Sequence, residues 1–284
     1  LVIGSQAMVN QNRASAEQLA GAVSRLGIPT WTGGMARGLL GADHERLFRH
    51  KRGQALKEAD LVIVAGFPFD FRLGYGRGFN RNATLVAANL SRHELTMNRR
   101  PDIAIEQHAA TMLQSLAERT SAGPIEDWVA TLRERENARE AEIDATADTA
   151  MDGVNPVRFF RELDRRVATN DILVVDGGDF AATAAYTLRP RQPLSWLDPG
   201  AYGTLGVGGG FVLGAASARP RDRVWLIWGD GSSAYSLAEF DTFIRHGMAP
   251  IAIIGTDASW GQIAREQQTM LGDSIGTNLL FTHY

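Results

Sequence analysis

Short apolar runs alternate with helical segments along the first part of the chain. Four runs predict strands that are buried on both sides of a sheet, at 1–4, 28–31, 61–66 and 85–88. Ser15 and Gln18 have capping-box spacing ahead of the first helix, and Gly27 closes that helix. Further helical sequence covers 55–59 and 109–118. Strands that alternate with helices predict a parallel sheet covered on both faces.

The same alternation returns after residue 154. Asn155 and Pro156 supply an N-cap and a proline at the first helical position. Three apolar strands follow, and each ends in a turn rich in glycine and aspartate, at 172–176, 224–228 and 251–254. Helices are predicted after the first two strands, over 180–188 and 234–246. Ligands of open α/β sheets bind at the carboxyl ends of the strands, so these turns predict a binding edge.

The two halves predict an α/β protein with two Rossmann-like, doubly wound parallel-sheet domains, over residues 1–122 and 154–284. Between them, residues 123–153 mix glutamate and arginine around Trp128 and Leu132, which is typical of a solvated helical linker. The second sheet is a strand or two short of the full fold, so we expect this domain to be truncated.

Composition narrows the class of protein. The 284 residues carry a net charge of −3, which disfavours a nucleic-acid binder, and the absence of cysteine excludes thiol chemistry, disulfides and iron–sulfur clusters. No apolar run reaches the roughly 18 residues that span a membrane. The chain begins Leu-Val-Ile-Gly without an initiator methionine, so we expect a piece of a longer protein. Nothing in the sequence assigns a compartment.

Candidate chemistry lies in the turn Gly229-Asp230-Gly231. It follows an apolar strand and precedes a helix, so its backbone N–H groups are expected to form an anion site. An acidic side chain repels an anion unless a cation lies between them, so Asp230 indicates Mg²⁺ or Ca²⁺. Asp257 ends the next strand 27 residues later, and a helix plus a return strand fills that interval. We expect both side chains to bind one ion, with the Thr256 hydroxyl as the alternative second ligand.

These turns resemble the diphosphate motif of thiamine-diphosphate (ThDP) enzymes, Gly-Asp-Gly followed by Asn-Asn. The segment 196–208, Trp-Leu-Asp-Pro-Gly-Ala-Tyr-Gly-Thr-Leu-Gly-Val-Gly, resembles the one beneath the thiazolium in 2-hydroxyacyl-CoA lyases and oxalyl-CoA decarboxylases. Segments 33–41, 69–73 and 239–246 extend the resemblance over nearly the whole chain, to the acetolactate synthase and 2-hydroxyacyl-CoA lyase family. Thr256-Asp257 departs from Asn-Asn, and the added charge is expected to favour the cation and oppose the phosphate.

The resemblance implies roles for individual residues. The metal would be held by the side chains of Asp230 and Asp257 and by the backbone carbonyl of Ser259. Leu205 would prop ThDP in its bent form, and the Gly203 carbonyl would accept a hydrogen bond from the aminopyrimidine. The cofactor-binding set so implied is Gly178, Asp179, Phe180, Gly203, Thr204, Leu205, Gly229, Asp230, Gly231, Ser232 and Asp257.

The implied activity is cleavage or formation of C–C bonds with ThDP and Mg²⁺. A lyase that releases an aldehyde and formyl-CoA from a 2-hydroxyacyl-CoA is the first expectation. Acetolactate synthase acting on 2-oxo acids, or a nucleotide-binding module without catalysis, are the alternatives. The glutamate that activates ThDP belongs, in the family, to an N-terminal domain and reaches across a dimer interface. We therefore assign no catalytic residue here, and expect this chain to be inactive alone and the full-length protein to be a homodimer or tetramer.

Other polar residues are open to two interpretations. Arg37, Asp70, Arg72 and Asn89 end strands of the first domain and are placed to meet FAD or the ADP moiety of CoA, although a Rossmann-like domain need not bind a ligand. Trp260, Gln262 and Gln267 line a substrate channel or belong to a helix that packs on the sheet. The six histidines show no metal-ligand spacing.

Overall fold

A computed structural model describes residues 1–279, and its contacts divide the chain into two compact units. The first comprises Leu1–Ala145 and Arg191–Leu194, and the second Thr146–Pro190 and the residues from Ser195 onward. The domain boundaries drawn from the sequence stay predictions, and the last five residues of the second predicted domain, 280–284, lie outside the described residues.

The first unit contains a parallel sheet. Within residues 1–279 it has five strands in the order β2-β1-β3-β4-β5: β1 Val2–Ile3, β2 Trp31–Thr32, β3 Leu61–Ala65, β4 Thr84–Asn89 and β5 Ile103–Glu106. Its helices are α1 Arg13–Leu26, α2 Arg52–Glu58, α3 Arg92–Thr96, α4 Ala109–Ala117 and α5 Glu126–Ala147. Short 3-10 helices lie at Ser5–Met8, Gly34–Ala36 and Phe71–Gly76.

The second unit repeats this plan. Its described strands form a parallel sheet of four, in the order β7-β6-β8-β9: β6 Ile172–Val175, β7 Trp196–Leu197, β8 Val224–Gly229 and β9 Ile251–Gly255. The helices are α6 Pro156–Asp164, α7 Asp179–Thr187, α8 Gly208–Ala218, α9 Asp230–Ser233, α10 Glu239–Arg245 and α11 Gly261–Leu271. A 3-10 helix lies at Gly200–Tyr202.

The inner strands of both sheets are buried on both faces, as in most parallel sheets, whereas the edge strands β5 and β9 are partly exposed. In β3, Ile63 joins the apolar cluster on one face, whereas Val62 and Val64 join the cluster on the other. In β8, Ile227 packs with residues of α6 and α7, and its neighbour Trp228 packs with residues of α8 and α10. The predicted α/β fold with two parallel, helix-covered sheets is confirmed.

Several element boundaries differ from the predicted ones. Helix α1 begins earlier than Ser15, because Asn12 is its N-cap and Ser15 is the third helical residue of the capping box. In the range 234–246, which was predicted as one helix, the structure has a turn over 234–238 and then helix α10, and the short helix α9 ends just before this range. The Ser232 hydroxyl donates to the Gly229 carbonyl just before α9, and the Ser233 hydroxyl donates to the Asp230 carbonyl within it, which favours a short turn over a continuous helix. Strands β5 and β7 were not predicted.

Helix α5 is the segment predicted as a solvated linker, and part of it is buried. Leu132 and Ile143 are 3% and 2% exposed, and Leu132 packs with Trp31 and Phe48 of the first unit. The Glu136 carboxylate accepts hydrogen bonds from the backbone N–H groups of Arg49 (3.0 Å) and His50 (3.0 Å). One face of α5 is therefore part of the first unit's core, and the mixed charges cover the other face.

Candidate functional site

The order in which the chain adds strands to the second sheet reverses between β6 and β8. Strand β7 lies on one side of β6, whereas β8 and β9 extend the sheet to the other side. The connections that leave β6 and β8 therefore diverge and open a crevice at the carboxyl ends of the strands. The turns at this edge are 176–180 after β6, 230–233 after β8 and 256–259 after β9.

Asp230 lies at the centre of this edge and is 2% exposed. One carboxylate oxygen, Oδ1, accepts a hydrogen bond from the Gly231 N–H (2.7 Å). The other, Oδ2, accepts from the N–H groups of Ala258 (2.8 Å) and Asp257 (3.2 Å). No lysine, arginine or histidine pairs with it among residues 1–279. A carboxylate bound only by amides keeps lone pairs for a cation, and carboxylate oxygens are the ligands that Mg²⁺ prefers.

Asp257 brings a second carboxylate to the same place. Its Oδ1 accepts a hydrogen bond from the Ser259 N–H (3.0 Å). Burial raises the pKa of the Asp257 carboxyl, and the negative charges of Asp230 and Asp179 raise it further. Three carboxylates thus collect at one edge of the sheet, and a divalent cation between two of them would remove the repulsion.

The loop after β9 has a special backbone. Ala258 has a left-handed conformation (φ 52°), which is uncommon for a residue with a β-carbon. The amides of Asp257 and Ala258 both point at Asp230 Oδ2. Ser259 pairs with Asn278 in an antiparallel bridge, and the Thr256 side chain is exposed. The loop is therefore fixed by Asp230 on one side and by Asn278 on the other.

Asp179 begins α7 and faces this loop. Both of its carboxylate oxygens accept hydrogen bonds from the Arg265 guanidinium on α11. A β-carbon on Gly261 would lie 3.1 Å from Asp179 Oδ2 and 3.2 Å from Asp257 Oδ2, so both carboxylates border this glycine. Asp179 is adjacent to the two candidate metal ligands, but its charge is already paired.

Gly178 and Phe180 have different surroundings. Gly178 has φ 94°, a conformation that glycine adopts readily, and it precedes the first turn of α7. The Phe180 ring packs inward against Phe160, with centroids 4.6 Å apart, and against Gly255, where a β-carbon would lie 2.3 Å from Phe180 Cγ. Only the backbone of Phe180 is therefore left to line a ligand.

The segment before α8 carries three predicted cofactor residues. Gly203 (φ 59°) and Thr204 are exposed, and Leu205 is half-buried. The Leu205 side chain covers the turn after β6, since a β-carbon on Gly177 would lie 2.1 Å from Leu205 Cδ2. The structure thus brings Leu205 to the first predicted cofactor turn.

The predicted diphosphate turn lies beneath an aromatic ring. Gly231 and Ser232 are buried, and a β-carbon on Gly231 would lie 2.7 Å from Trp260 Cζ3. The Ser232 hydroxyl donates to the Gly229 carbonyl (3.1 Å), so its side chain braces the turn. The Trp260 ring also lies 6.2 Å from the Tyr235 ring, centroid to centroid. Trp260 therefore covers the glycine turn as part of a small aromatic group.

Sequence reasoning missed two residues at this edge. Asp176 follows β6, is 4% exposed and contacts amides 30 and 32 positions away, those of Gly206 and Gly208. Arg265 lies 86 positions from its partner Asp179. No local pattern in the sequence reports either contact, because each depends on how the strand order brings the loops together.

The first unit has its own polar edge. Arg72 and Asp70 form a salt bridge (2.6 Å), and the Arg72 guanidinium lies 4.6 Å from the Phe67 ring centroid. Burial lowers the pKa of Arg52, and the positive charges of Arg37 and Arg72 lower it further, so three guanidinium groups are neighbours. An excess of positive charge at the carboxyl ends of strands favours an anion.

Asn89 does not join this group. It is 1% exposed, its Oδ1 accepts from the Ser91 N–H (2.9 Å), and its amide donates to Glu94 (3.2 Å). Its side chain is therefore used within the turn between β4 and α3. The expectation that Asn89 faces a ligand is wrong for this reason.

A second cluster contains a histidine. Ligand atoms of His50, Glu136 and Glu140 lie within 4.8 Å of one another, a proximity that the sequence spacing does not reveal. Glu140 accepts from His50 Nε2 (2.9 Å) and from Arg49 (3.5 Å), and Glu136 is bound by backbone amides. These contacts explain the cluster as an ion pair that holds α5.

Within residues 1–279, no helix combines the length and the apolar character that crossing a bilayer requires.

Two protein families match the chain. Residues 1–116 match the family described as "Thiamine pyrophosphate enzyme, central domain". Residues 176–280 match "Thiamine pyrophosphate enzyme, C-terminal TPP binding domain". The second match begins at Asp176 and includes the three turns of the crevice.

Curated relatives carry two kinds of name. The chain is 46% identical over 294 residues to "2-hydroxyacyl-CoA lyase 2" of Caenorhabditis elegans, and 43% identical over 290 residues to "2-hydroxyacyl-CoA lyase 2" of Homo sapiens. Both matches cover 100% of this chain and 46% of the relative. "Probable acetolactate synthase" of Mycobacterium bovis is 33% identical over 253 residues, 89% of this chain and 46% of that protein. The chain thus spans about half the length of the curated relatives it matches.

Proposed function

Because this chain belongs to the thiamine pyrophosphate enzyme family, we propose that it forms the ThDP-diphosphate and Mg²⁺ site of an enzyme that cleaves or joins C–C bonds. The observation that carries the proposal is Asp230, a buried carboxylate whose partners among residues 1–279 are all backbone amides and which lies next to Asp257. A cation is the partner that such a pair lacks.

The metal would be bound by residues of the turns after β8 and β9. Asp230 and Asp257 would each contribute a carboxylate oxygen, and Ser259 its backbone carbonyl. We choose Asp257 over Thr256 because the Asp257 N–H donates to Asp230 Oδ2 (3.2 Å), and the Asp230 charge is near enough to raise the pKa of the Asp257 carboxyl. The donor set is all oxygen, as Mg²⁺ requires.

The diphosphate would be held at the amide-rich start of α9 and α7. Gly229, Gly231 and Ser232 would meet it on one side, and the backbone of Gly178, Asp179 and Phe180 on the other. Backbone N–H groups at helix starts favour an anion, and the cation would neutralise the repulsion between the phosphates and the carboxylates. Arg265 would keep the Asp179 charge paired at the rim.

The ring end of the cofactor would meet the segment before α8. Leu205 would support the bent form, the Gly203 carbonyl would accept from the aminopyrimidine, and Thr204 would line the same surface. When bound, ThDP supplies a nucleophilic carbon that attacks a carbonyl and stabilises the carbanion left after C–C cleavage. The protein's own contribution is to orient the two ends of the cofactor.

We infer a substrate of the 2-hydroxyacyl-CoA type. The relatives with the highest identities reported above are named 2-hydroxyacyl-CoA lyase 2, and the Leu-Asp-Pro-Gly-Ala-Tyr-Gly-Thr-Leu-Gly run supports that branch. The second candidate is acetolactate synthase, which the 33% identical relative favours. In either case we propose that the full-length protein works as a homodimer or tetramer.

The first unit would bind an ADP-like group, either that of CoA or that of FAD. The guanidinium groups of Arg37, Arg52 and Arg72 are neighbours, and guanidinium groups are the side chains that suit a diphosphate. Both polar side-chain atoms of Gln6, in the 3-10 helix that follows β1, are buried without a hydrogen-bond partner within the described residues. A ligand bound at this edge of the first sheet would supply hydrogen-bond partners for these two atoms.

One set of titrations and assays tests the proposal. ThDP is titrated into the full-length protein with Mg²⁺ and with EDTA, and turnover is then measured with pyruvate and, separately, with a 2-hydroxyacyl-CoA. We expect Mg²⁺-dependent binding and formation of an aldehyde and formyl-CoA. Acetolactate from pyruvate would support the second candidate. Absence of ThDP binding under both conditions would refute the proposal and favour a module without catalysis.

A further inference from the structure

Asp176 is the first residue of the turn after β6, two positions before Gly178, the first residue proposed to meet the diphosphate. Its Oδ1 accepts hydrogen bonds from the N–H groups of Gly177 (2.7 Å) and Gly206 (3.1 Å), and its Oδ2 accepts from Gly208 (2.8 Å). In the part of the chain that the structure describes, all partners of this carboxylate are backbone amides. Burying a carboxylate without a cation costs free energy, so we look for a role of Asp176 other than charge pairing.

Through its contact with the Gly208 N–H, Asp176 caps helix α8, although Asp176 itself lies after β6. Helix α8 begins at Gly208, and its N-cap residue Val207 makes no side-chain hydrogen bond. The first N–H groups of a helix need an acceptor, and a negative charge is favourable at a helix N-terminus. Asp176 supplies both from the end of β6. The start of α8 is therefore tied to the first cofactor turn.

The contact with Gly206 fixes the residue before it. Leu205 covers Gly177, where a β-carbon would lie 2.1 Å from Leu205 Cδ2, and the Gly177 amide is bound to Asp176 as well. On its other side, Gly206 (φ 83°) lies against Tyr235, whose Cβ is 2.4 Å from a β-carbon built on that glycine. The turn after β6 and the segment before α8 thus interlock around one carboxylate.

We propose that Asp176 is a positioning residue that sets the segment 203–208 against the turn 177–180, so that Gly203 and Leu205 meet the ring end of ThDP while the diphosphate is bound. This inference rests on the proposed function. Asp176 itself touches neither end of the cofactor. Its role is to fix the distance between the two subsites, which decides whether a bent ligand fits both of them at once.

If Asp176 has this role, its substitution should weaken the binding of ThDP more than the binding of inorganic diphosphate. In Asp176→Asn the side chain keeps its shape but retains one acceptor oxygen, so an NH₂ group faces one of the three backbone amides. Loss of a hydrogen bond to a charged group changes affinity by about tenfold to hundredfold. We expect this loss for ThDP, which needs both subsites. Inorganic diphosphate with Mg²⁺ needs one subsite, and its affinity should change less than about twofold.

Asp171 provides a matched control at the other end of the same strand. It is also 4% exposed and accepts from Trp225 Nε1 (2.7 Å), the Ala168 N–H (2.9 Å) and Arg223 (2.6 Å). Asp171→Asn therefore perturbs a buried carboxylate of equal exposure, away from the crevice. It should lower the free energy of unfolding without changing the affinity for ThDP.

The experiment uses the full-length wild-type protein and both variants. Calorimetry gives the affinities for ThDP and for inorganic diphosphate in Mg²⁺, near-UV circular dichroism reports the bound ring, and hydrogen exchange follows the peptide over 203–210. We expect weaker ThDP binding, a smaller dichroism signal and faster exchange of that peptide in Asp176→Asn only. If Asp176→Asn does not fold, Gly177→Ala replaces it, because its methyl group displaces Leu205 and should give the same ThDP-selective loss.

The outcomes separate the two proposals. Wild-type protein that binds diphosphate and ThDP with equal affinity, or neither, overturns the proposed function. Wild-type protein that prefers ThDP while Asp176→Asn binds it equally well overturns the positioning role alone. A parallel loss of ThDP and diphosphate affinity in Asp176→Asn also overturns it, because that pattern indicates a general structural defect.

Discussion

Replacement of Asp230 by alanine tests the central carboxylate most directly. The substitution removes the acceptor of three backbone N–H groups, those of Gly231, Asp257 and Ala258. It also removes one of the two charges proposed to bind Mg²⁺. The apoprotein and the metal complex are therefore expected to respond differently.

The effect on the apoprotein is a difference between two terms. A buried N–H without an acceptor costs about 1–3 kcal/mol. Gly231 is buried, whereas Asp257 is exposed and water can reach its amide, so the three together cost about 3 kcal/mol. Relief of the repulsion with Asp257 returns about 1 kcal/mol at this partly solvated edge. The net loss of about 2 kcal/mol leaves the variant folded, since domains have about 5–15 kcal/mol.

The effect on cofactor binding is larger. Loss of a residue that only hydrogen-bonds to a metal ligand weakens metal binding by about 10–100-fold. Loss of a ligand itself should therefore weaken it by at least about 100-fold. Urea unfolding of the apoprotein measures the first effect, and calorimetric titration of Mg²⁺ at saturating ThDP measures the second. Asp257→Asn is the control, because an asparagine oxygen can still bind the ion, and it should retain Mg²⁺-dependent ThDP binding.

Two results would contradict this reasoning. Asp230→Ala with wild-type affinity for ThDP in Mg²⁺ would remove Asp230 from the metal site. An Asp230→Ala apoprotein more stable than wild type by 1 kcal/mol or more, about the size of the repulsion term alone, would show that the three amides contribute nothing to the loop.

Three further predictions concern stability. Glu136→Ala should lower the free energy of unfolding in urea by about 2–4 kcal/mol, because two partly buried amides lose their acceptor. Glu134→Ala on the exposed face should change it by less than about 0.5 kcal/mol. Gly255→Ala should lower the free energy of unfolding by about 1–3 kcal/mol, because the methyl group collides with Phe180. Gly214→Ala within α8, where a methyl group meets nothing within 4 Å, should raise it by up to about 1 kcal/mol. Equal effects of the two substitutions would contradict the packing argument. Burial lowers the pKa of His44, so the unfolded chain binds a proton first and the free energy of unfolding should fall as the pH drops below about 6.5. That slope should be smaller in His44→Gln, and an unchanged slope would assign it to other groups.

The fold and the proximity of Asp257 to Asp230 were predictable from the sequence, for a physical reason. Parallel strands buried on both sides are continuous apolar runs, and their carboxyl ends meet at one edge, so the 27-residue interval places Asp257 beside Asp230. The resemblance to ThDP enzymes of the acetolactate synthase and 2-hydroxyacyl-CoA lyase type is confirmed by the family matches and the relatives. The roles of the individual site residues stay predictions.

What was missed depends on contacts distant in sequence. Strand β7 has two residues and is defined by its pairing with β6, so no apolar run marks it. Strand β5, at the edge of the first sheet, is largely exposed and lacks the pattern of a buried strand. Asp176 reads as the polar end of a strand, and its role depends on amides 30 or more positions later. The linker helix shows charge on every turn, and its burial depends on Trp31 and Phe48.

The glycines of the crevice have a consequence for how related sequences can vary. The space of a missing methyl group at Gly177 is filled by Leu205, and that at Gly255 is filled by Phe180. Neither position of a pair can change alone without a collision or a void. Across homologous proteins the two members of each pair should therefore covary, and an alignment in which 177 and 205 drift independently would show that the two loops evolve as separate parts.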